Sequence, residues 1–494
     1  MSRKRGFIRV ATALLLSAIF ALVFFTFNTP LGPSIGNDNS MYLTMGTALT
    51  HGYAPYTQIF DHKGPLLFLI QMLPQLFFGG YQTFTVFVME WLFLFGCLFT
   101  IDALCDRVGL RCTWVLQLVY LALYAPCVGG GNLSEEYVSL FTLLGLTLIL
   151  HTFDAGEKPV RPLFPALLLG ALATLSFLTR ANNALPLLGA TFGVTLCLAC
   201  TGDWKTLVIC ACGFLIGCSL ALAPFILWLS SQGALSDALY GSITHNLMYV
   251  QTEGMSRIQI LFHSEYGRWA MLMAVLSTVG ALCCYLRTRR AILPASLVFG
   301  AAFAGLAAFL SHKYYQHYLT LGAPLAVLGM AQILRLARDR SSSTHFAICK
   351  TCVALLCCAA LFFFGHSANA SRISERKNLD QFADDARTLY AQVPEEDRGS
   401  FMAYRVESKW YVFTEALPCM RFYFLQETLG QADPRVMDEI VETFEQNPPR
   451  WLVIYYNRPF SPPYDERVQA IIDSRYAFVD ARGEYQLLRL TDQD

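Results

Sequence analysis

Charge is what this chain of 494 residues has least of. Asp, Glu, Lys and Arg together make up 15% of it, against about a quarter in ordinary soluble proteins. The charges balance, 36 basic against 36 acidic, so no basic footprint points to nucleic acid. No internal repeat is visible, which speaks against the paired halves common in transporters. A disulfide framework is missing as well. Sixteen cysteines are present, but all except Cys419 lie in or beside apolar segments. The CxxC pairs Cys197/Cys200 and Cys349/Cys352 have no companion ligands and read as small packing residues. Nor is there a signal-peptide cleavage site: Phe27-Asn28-Thr29-Pro30 follows an apolar run longer than a signal core.

What remains is hydrophobic, 55% of the residues. Runs of bilayer-crossing length fall near 7–27, 66–80, 83–101, 113–128, 136–153, 163–178, 184–200, 206–229, 269–286, 291–310, 317–334 and 346–365. The run 66–80 is short, follows Gly64-Pro65 and closes on Phe78-Gly79-Gly80, so it reads as a cap or re-entrant element and leaves eleven spans. The basic clusters then share one side: Arg3, Lys4 and Arg5; Arg107 and Arg111; Lys158 and Arg161; Lys205; Arg287, Arg289 and Arg290; Arg335, Arg338, Arg340 and Lys350. The positive-inside rule makes that side the cytoplasm. The expected architecture is an α-helical polytopic membrane domain over 1–366, with its first outer loop at 28–65, and a small extracytoplasmic α/β domain over 367–494. In the tail, helices are expected at 373–393 and 433–445, and strands at 400–405, 451–456, 476–479 and 485–490. The tail carries no catalytic signature.

The polar residues concentrate in the outer loops. Ile35–Pro65 holds Asp38 at one corner and Asp61, His62 and Lys63 at the other, with a short helix expected over 43–49 between them. Carboxylates this close to lipid are costly unless paired or catalytic; the plainer reading is a solvated loop. Gly129–Tyr137 brings Glu135 and Glu136 to the same side, and Thr179–Asn183 brings Arg180. Ser311–Tyr318 adds His312, Lys313, His317 and Tyr318. A hydroxyl attacking an anomeric carbon needs a base, which a carboxylate supplies. A departing lipid phosphate needs fixed cations rather than an acid, and Lys63, Arg180, Lys313 and His317 are such cations. Each has a plainer alternative. Arg180 snorkelling to the interface is one. Glu135 and Glu136 compensating a helix dipole behind a Ser134 N-cap is another. His312 and His317, five residues apart, do not share a helical face, which favours phosphate or headgroup contact over a metal. Glu90, deep in a span, has no partner visible in the sequence.

Several motifs carry a family resemblance: Gly36-Asn37-Asp38 with Tyr42, Gly52-Tyr53-Ala54-Pro55-Tyr56, and Phe60-Asp61-His62-Lys63-Gly64-Pro65-Leu66-Leu67. Asn132-Leu133-Ser134-Glu135-Glu136-Tyr137, Leu178-Thr179-Arg180, and His317-Tyr318-Leu319 ahead of Pro324 add to them. Together they resemble the polytopic GT-C glycosyltransferases, specifically the family-39-like bacterial members related to protein O-mannosyltransferases and the lipid A aminoarabinose transferase. The resemblance runs to about residue 335, and the tail matches only in general plan. It implies transfer of a sugar from a polyprenyl-phosphate donor to an acceptor hydroxyl of the cell envelope, on the outer membrane face and with inversion. It further implies Asp38 as catalytic base, and Lys63 and Arg180 on the donor phosphate, where the outer-face cations Lys313 and His317 are expected to join them. Tyr42, Asp61, His62, Glu135, Glu136, His312 and Tyr318 take supporting places. The implied partners are the lipid-linked donor, an envelope acceptor and membrane lipids; no cofactor is implied and no metal is indicated. Many relatives have Asp-Glu in the first motif where this chain has Asp38-Asn39, one carboxylate fewer. The alternative from another class is a multispan transporter or flippase of lipid-linked or polymer substrates. Its ionisable residues would sit near mid-membrane rather than in outer loops.

Overall fold

The computed structural model describes residues 3–153, 161–250, 256–310, 314–456 and 465–491. It separates into two compact units, one of Met1–Leu31, Phe87–Ile226 and Glu253–Ala370, the other of Gly32–Val86, Leu227–Thr252 and Ser371–Asp494.

Lipid is the solvent that shapes the first unit. A chain that cannot leave backbone amides unpaired in hydrocarbon must cross it as helix. Among the described residues, nine helices are long and apolar enough to do so: Gly6–Phe24, Thr83–Val108, Ser134–Phe153, Ala181–Cys200, Trp204–Ser231, Glu265–Thr288, Ile292–Phe309, Gln316–Arg340 and Ser343–Tyr390. Thr113–Cys127 and Leu163–Thr179 are shorter apolar helices at two more of the expected spans. Pro65–Phe78, the run read as non-spanning, has 14 residues. The chain is a multi-pass membrane protein. Outward-facing side chains such as Phe362, 80% exposed, and Leu356, 72% exposed, fit lipid and not water. Inside, small residues let helices approach closely. A Cβ on Gly280 would fall 2.2 Å from the Gly329 Cα, so Glu265–Thr288 and Ala323–Arg340 touch backbone to backbone.

The last apolar span and the amphipathic helix expected after it are one element, Ser343–Tyr390, of 48 residues. The stretch between them, His366-Ser367-Ala368-Asn369-Ala370-Ser371-Arg372, contains no proline or glycine, so nothing stops the helix. Asn369 Nδ2 reaches the Gly365 carbonyl one turn back, at 2.8 Å.

In the second unit the expected short helix is longer, Asn37–Thr50, and packs on Pro65–Phe78. The sheet is built from β1 (Phe401–Ala403), β2 (Trp451–Tyr455), β3 (Tyr476–Arg482) and β4 (Tyr485–Leu490), in the order β1-β2-β4-β3. β2 lies between parallel β1 and antiparallel β4 and is buried along its whole length, which accounts for its unbroken apolar run. β3 and β4 form the closing hairpin around Gly483, whose φ of +53° suits glycine. The first loop rests on this tail. Ser40 Oγ lies 2.7 Å from Ser408 Oγ, and Tyr423 OH donates to the Met41 carbonyl at 3.0 Å.

Asp433 begins the helix Pro434–Gln446 as its N-cap, accepting from Arg435 N–H. It also accepts from the Arg435 guanidinium and from Tyr240 O–H. The Arg435 hydrogen bonds, aided by Tyr240, hold its carboxyl at a pKa of about 2. Stability from this depression is present above the ordinary aspartate value and is lost as pH falls toward 2. Arg435 is largely exposed, so its ion pair adds little. Asp433→Ala is expected to cost the helix about 1–2 kcal/mol, mainly through the lost cap, and Asp433→Asn distinctly less. Hydrogen exchange of the amides in Pro434–Gln446, read in the full chain, checks it.

Candidate functional site

Asp38 sits in the first turn of Asn37–Thr50, half-buried, behind the extended N-cap Gly36. The positive end of a helix dipole favours a carboxylate there. Asn39, the next residue, is fully buried, and an amide avoids the desolvation cost of a second charge.

The other corner of the loop folds into a tight cluster in the same unit. Asp61, His62 and Lys63 are all buried, at 3%, 7% and 5% exposure. Asp61 accepts from the Lys63 backbone N–H at 3.1 Å, and Lys63 Nζ lies 3.4 Å and His62 Nδ1 3.2 Å from Asp61 Oδ1. Burial pushes the Asp61 carboxyl above the ordinary aspartate range; Lys63 pulls it back, and the nearby Asp38 carboxylate pushes it up again. Lys63 Nζ also stands 5.4 Å from the centre of the Tyr42 ring. Asp38, Tyr42, Asp61, His62 and Lys63 are therefore neighbours within one unit.

Three residues with no assigned role in the sequence complete this cluster. His245 is fully buried, its ring 5.9 Å from that of His62. Burial lowers its pKa, partly offset by the Leu429 carbonyl 3.4 Å from Nε2. Asn246 Nδ2 donates to the His62 carbonyl at 2.6 Å. Arg421 brackets the loop from the tail: Nε donates to the Tyr56 carbonyl at 2.7 Å, and its own carbonyl accepts from Phe60 N–H at 3.0 Å. His245 falls in 230–268, an outer loop by the expected topology, and that was its only signal in the sequence; nothing local marked Arg421.

The first unit holds a second polar cluster. Arg180 does not snorkel. It is 9% exposed, donates to Glu135 Oε1 at 3.1 Å and to Tyr318 OH at 3.0 Å, and lies 4.7 Å from the centre of the Tyr318 ring. Glu135 and Glu136 open Ser134–Phe153 and are both buried. Ser134 Oγ accepts from Asn183 Nδ2 at 3.3 Å. His317 stacks edge-on against Tyr318, ring centres 4.6 Å apart. Glu90 has its partners here: Asn28 Nδ2 at 2.9 Å on one oxygen and Asn132 N–H on the other. The turn delivering that N–H, Gly129-Gly130-Gly131-Asn132, has positive φ at all four residues, and a Cβ on Gly131 would collide with Glu90. His312, Lys313 and Lys158 lie outside the described residues. Among the described residues, no group of three or more His, Cys, Asp or Glu side chains is placed to hold a metal ion.

No protein-family model matches the sequence, and no curated protein matches it. Solved structures do match. ArnT from Cupriavidus metallidurans, crystallised with undecaprenyl phosphate, superposes with a TM-score of 0.65 over 96% of this chain and 97% of its own, at 12% identity. The fold is GT-C. The Archaeoglobus fulgidus oligosaccharyltransferase gives a TM-score of 0.53 at 12% identity, over 90% of this chain and 69% of its own. The mycobacterial arabinofuranosyltransferase AftD gives 0.56 at 15% identity, over all of this chain and 40% of its own. At these identities the likeness is one of fold. A GT-C fold from end to end bears out the architecture expected from the apolar spans and the small α/β tail.

Proposed function

We propose that this protein is a glycosyltransferase moving a sugar from a polyprenyl-phosphate donor to a hydroxyl of an envelope acceptor on the extracytoplasmic face, with inversion. The observation that carries the reading is the Asp38 carboxylate, half-buried at a helix start beside the buried Asp61–Lys63 pair, in a chain of GT-C fold. Undecaprenyl phosphate, bound in the crystal structure of ArnT, supports the donor class. In this mechanism Asp38 takes the acceptor proton as the oxygen attacks the anomeric carbon. The carbon–oxygen bond to the lipid phosphate breaks, and Lys63 and Arg180, with Lys313 and His317, meet the charge that develops on it. Asp61 and His62 fix Lys63; Tyr42, Glu135, Glu136, His312 and Tyr318 shape the surroundings. Spans over 1–366 and an outer domain over 367–494 remain the division we propose.

Mass spectrometry of lipid-linked sugars and envelope glycans, with and without the protein, tests the function. A polyprenyl-phosphate sugar should accumulate and one glycan modification disappear when the protein is absent; unchanged profiles would reject the reading. The orientation has its own test. A reporter fused after Asp494 is expected to work on the extracytoplasmic side only, and activity confined to the cytoplasm would reverse the topology.

A further inference from the structure

A cavity of about 520 Å³ in the helical unit is lined by Arg111, Trp114, Arg338, Phe346 and Lys350, together with Gly109 and Cys112. Three of these side chains are cationic and none is acidic, in a chain with as many acids as bases. Four helix ends meet there: Thr83–Val108 and Ala323–Arg340 finish beside it, and Thr113–Tyr124 and Ser343–Tyr390 begin. Arg338 is tethered, donating with Arg335 to the Gly109 carbonyl and lying 3.6 Å from Asp339. Arg111 and Lys350 form no ion pair among the described residues. Lys350 and Arg338 are both near enough to act electrostatically on Cys112.

The cavity stands apart from the Arg180–Glu135 cluster. Thr113–Cys127 starts at the cavity and ends just before the turn that leads to Glu135; at 1.5 Å per residue that is roughly 20 Å of helix.

We propose that this cavity binds a phosphate-bearing anion, supplied by the headgroup of an anionic membrane lipid. Its position at the ends of apolar helices is headgroup depth. Exposed Trp114 at the rim is the residue type that settles at that level. Basic pockets between transmembrane helices select anionic headgroups by charge, and a guanidinium already held in place loses little freedom on binding. Inorganic phosphate shares the chemistry, so the test separates the two sources.

Full-length protein, stripped of lipid in detergent, is titrated with phosphatidylglycerol, with phosphatidylcholine of the same chains, and with inorganic phosphate, read by native mass spectrometry. Phosphatidylglycerol should bind in preference to phosphatidylcholine. Arg111→Gln with Lys350→Gln should weaken it about 25-fold, about fivefold per cation, and leave phosphatidylcholine unchanged. Arg111→Lys should keep most of the binding. Equal binding of the two lipids by the parent, or undiminished phosphatidylglycerol binding by a folded double variant, would overturn the proposal. Charge-dependent binding of inorganic phosphate without lipid preference would keep the anion site and overturn the lipid as its source. Should the double variant melt early, Arg111→Gln alone, at an exposed position, carries the test at about fivefold.

Discussion

Asp38→Asn is expected to lower sugar transfer by on the order of 10²–10⁴-fold while leaving expression and donor binding close to the parent's. Asparagine keeps the size of the side chain and remains a good residue for the start of a helix, so Asn37–Thr50 should form as before. What it cannot do is accept the proton of an attacking hydroxyl. Its neutral amide also removes the charge that raises Asp61, so Lys63 should be held at least as firmly by its neighbour as in the parent. Asp61→Asn is the contrasting variant. It leaves Asp38 intact but deprives buried Lys63 and His62 of their shared acceptor, so its effect should be milder on the chemical step and larger on donor affinity. Single-turnover transfer in liposomes, with donor binding measured separately, distinguishes the two. Near-parental transfer by a folded Asp38→Asn protein would remove Asp38 as the base.

The membrane helices were legible because lipid imposes a single requirement, about twenty apolar residues in helical form. That requirement leaves its mark within one window of sequence. The tail strands were legible for a similar reason: β2 reads Trp451-Leu452-Val453-Ile454-Tyr455 because it is covered on both faces. The continuity of Ser343–Tyr390 was not read, since a change from apolar to amphipathic composition looks like a boundary although no helix-breaking residue lies there. The partners of charged residues were harder still. Glu135 and Arg180 are 45 positions apart, His62 and His245 183, and Tyr56 and Arg421 365. Nothing local encodes such pairs. The sequence shows only that a charge near lipid needs an answer, and Arg180 met that need by burial against Glu135 where snorkelling was the plainer expectation.

That ion pair decides how Arg180 must be tested. Arg180→Ala strands the buried Glu135 carboxylate, and losing one partner of a buried pair costs about 3–5 kcal/mol. The single variant is therefore expected to express poorly or melt early, and its inactivity would say nothing about phosphate. Arg180→Gln combined with Glu135→Gln removes both charges and keeps groups able to hydrogen-bond each other and Tyr318 OH, so most of the lost stability should return. If Arg180 meets the donor phosphate, transfer by this double variant should nevertheless stay depressed by on the order of 10²–10³-fold, the usual consequence of losing a fixed group that stabilises developing negative charge. Arg180→Lys should fall between. It keeps a cation beside Glu135 but lacks the planar fork that engages Glu135 and Tyr318 together. Melting temperature and single-turnover transfer are measured on all three proteins beside the parent. A double variant that is folded and transfers sugar like the parent would make the Arg180–Glu135 pair purely structural and withdraw Arg180 from the donor phosphate.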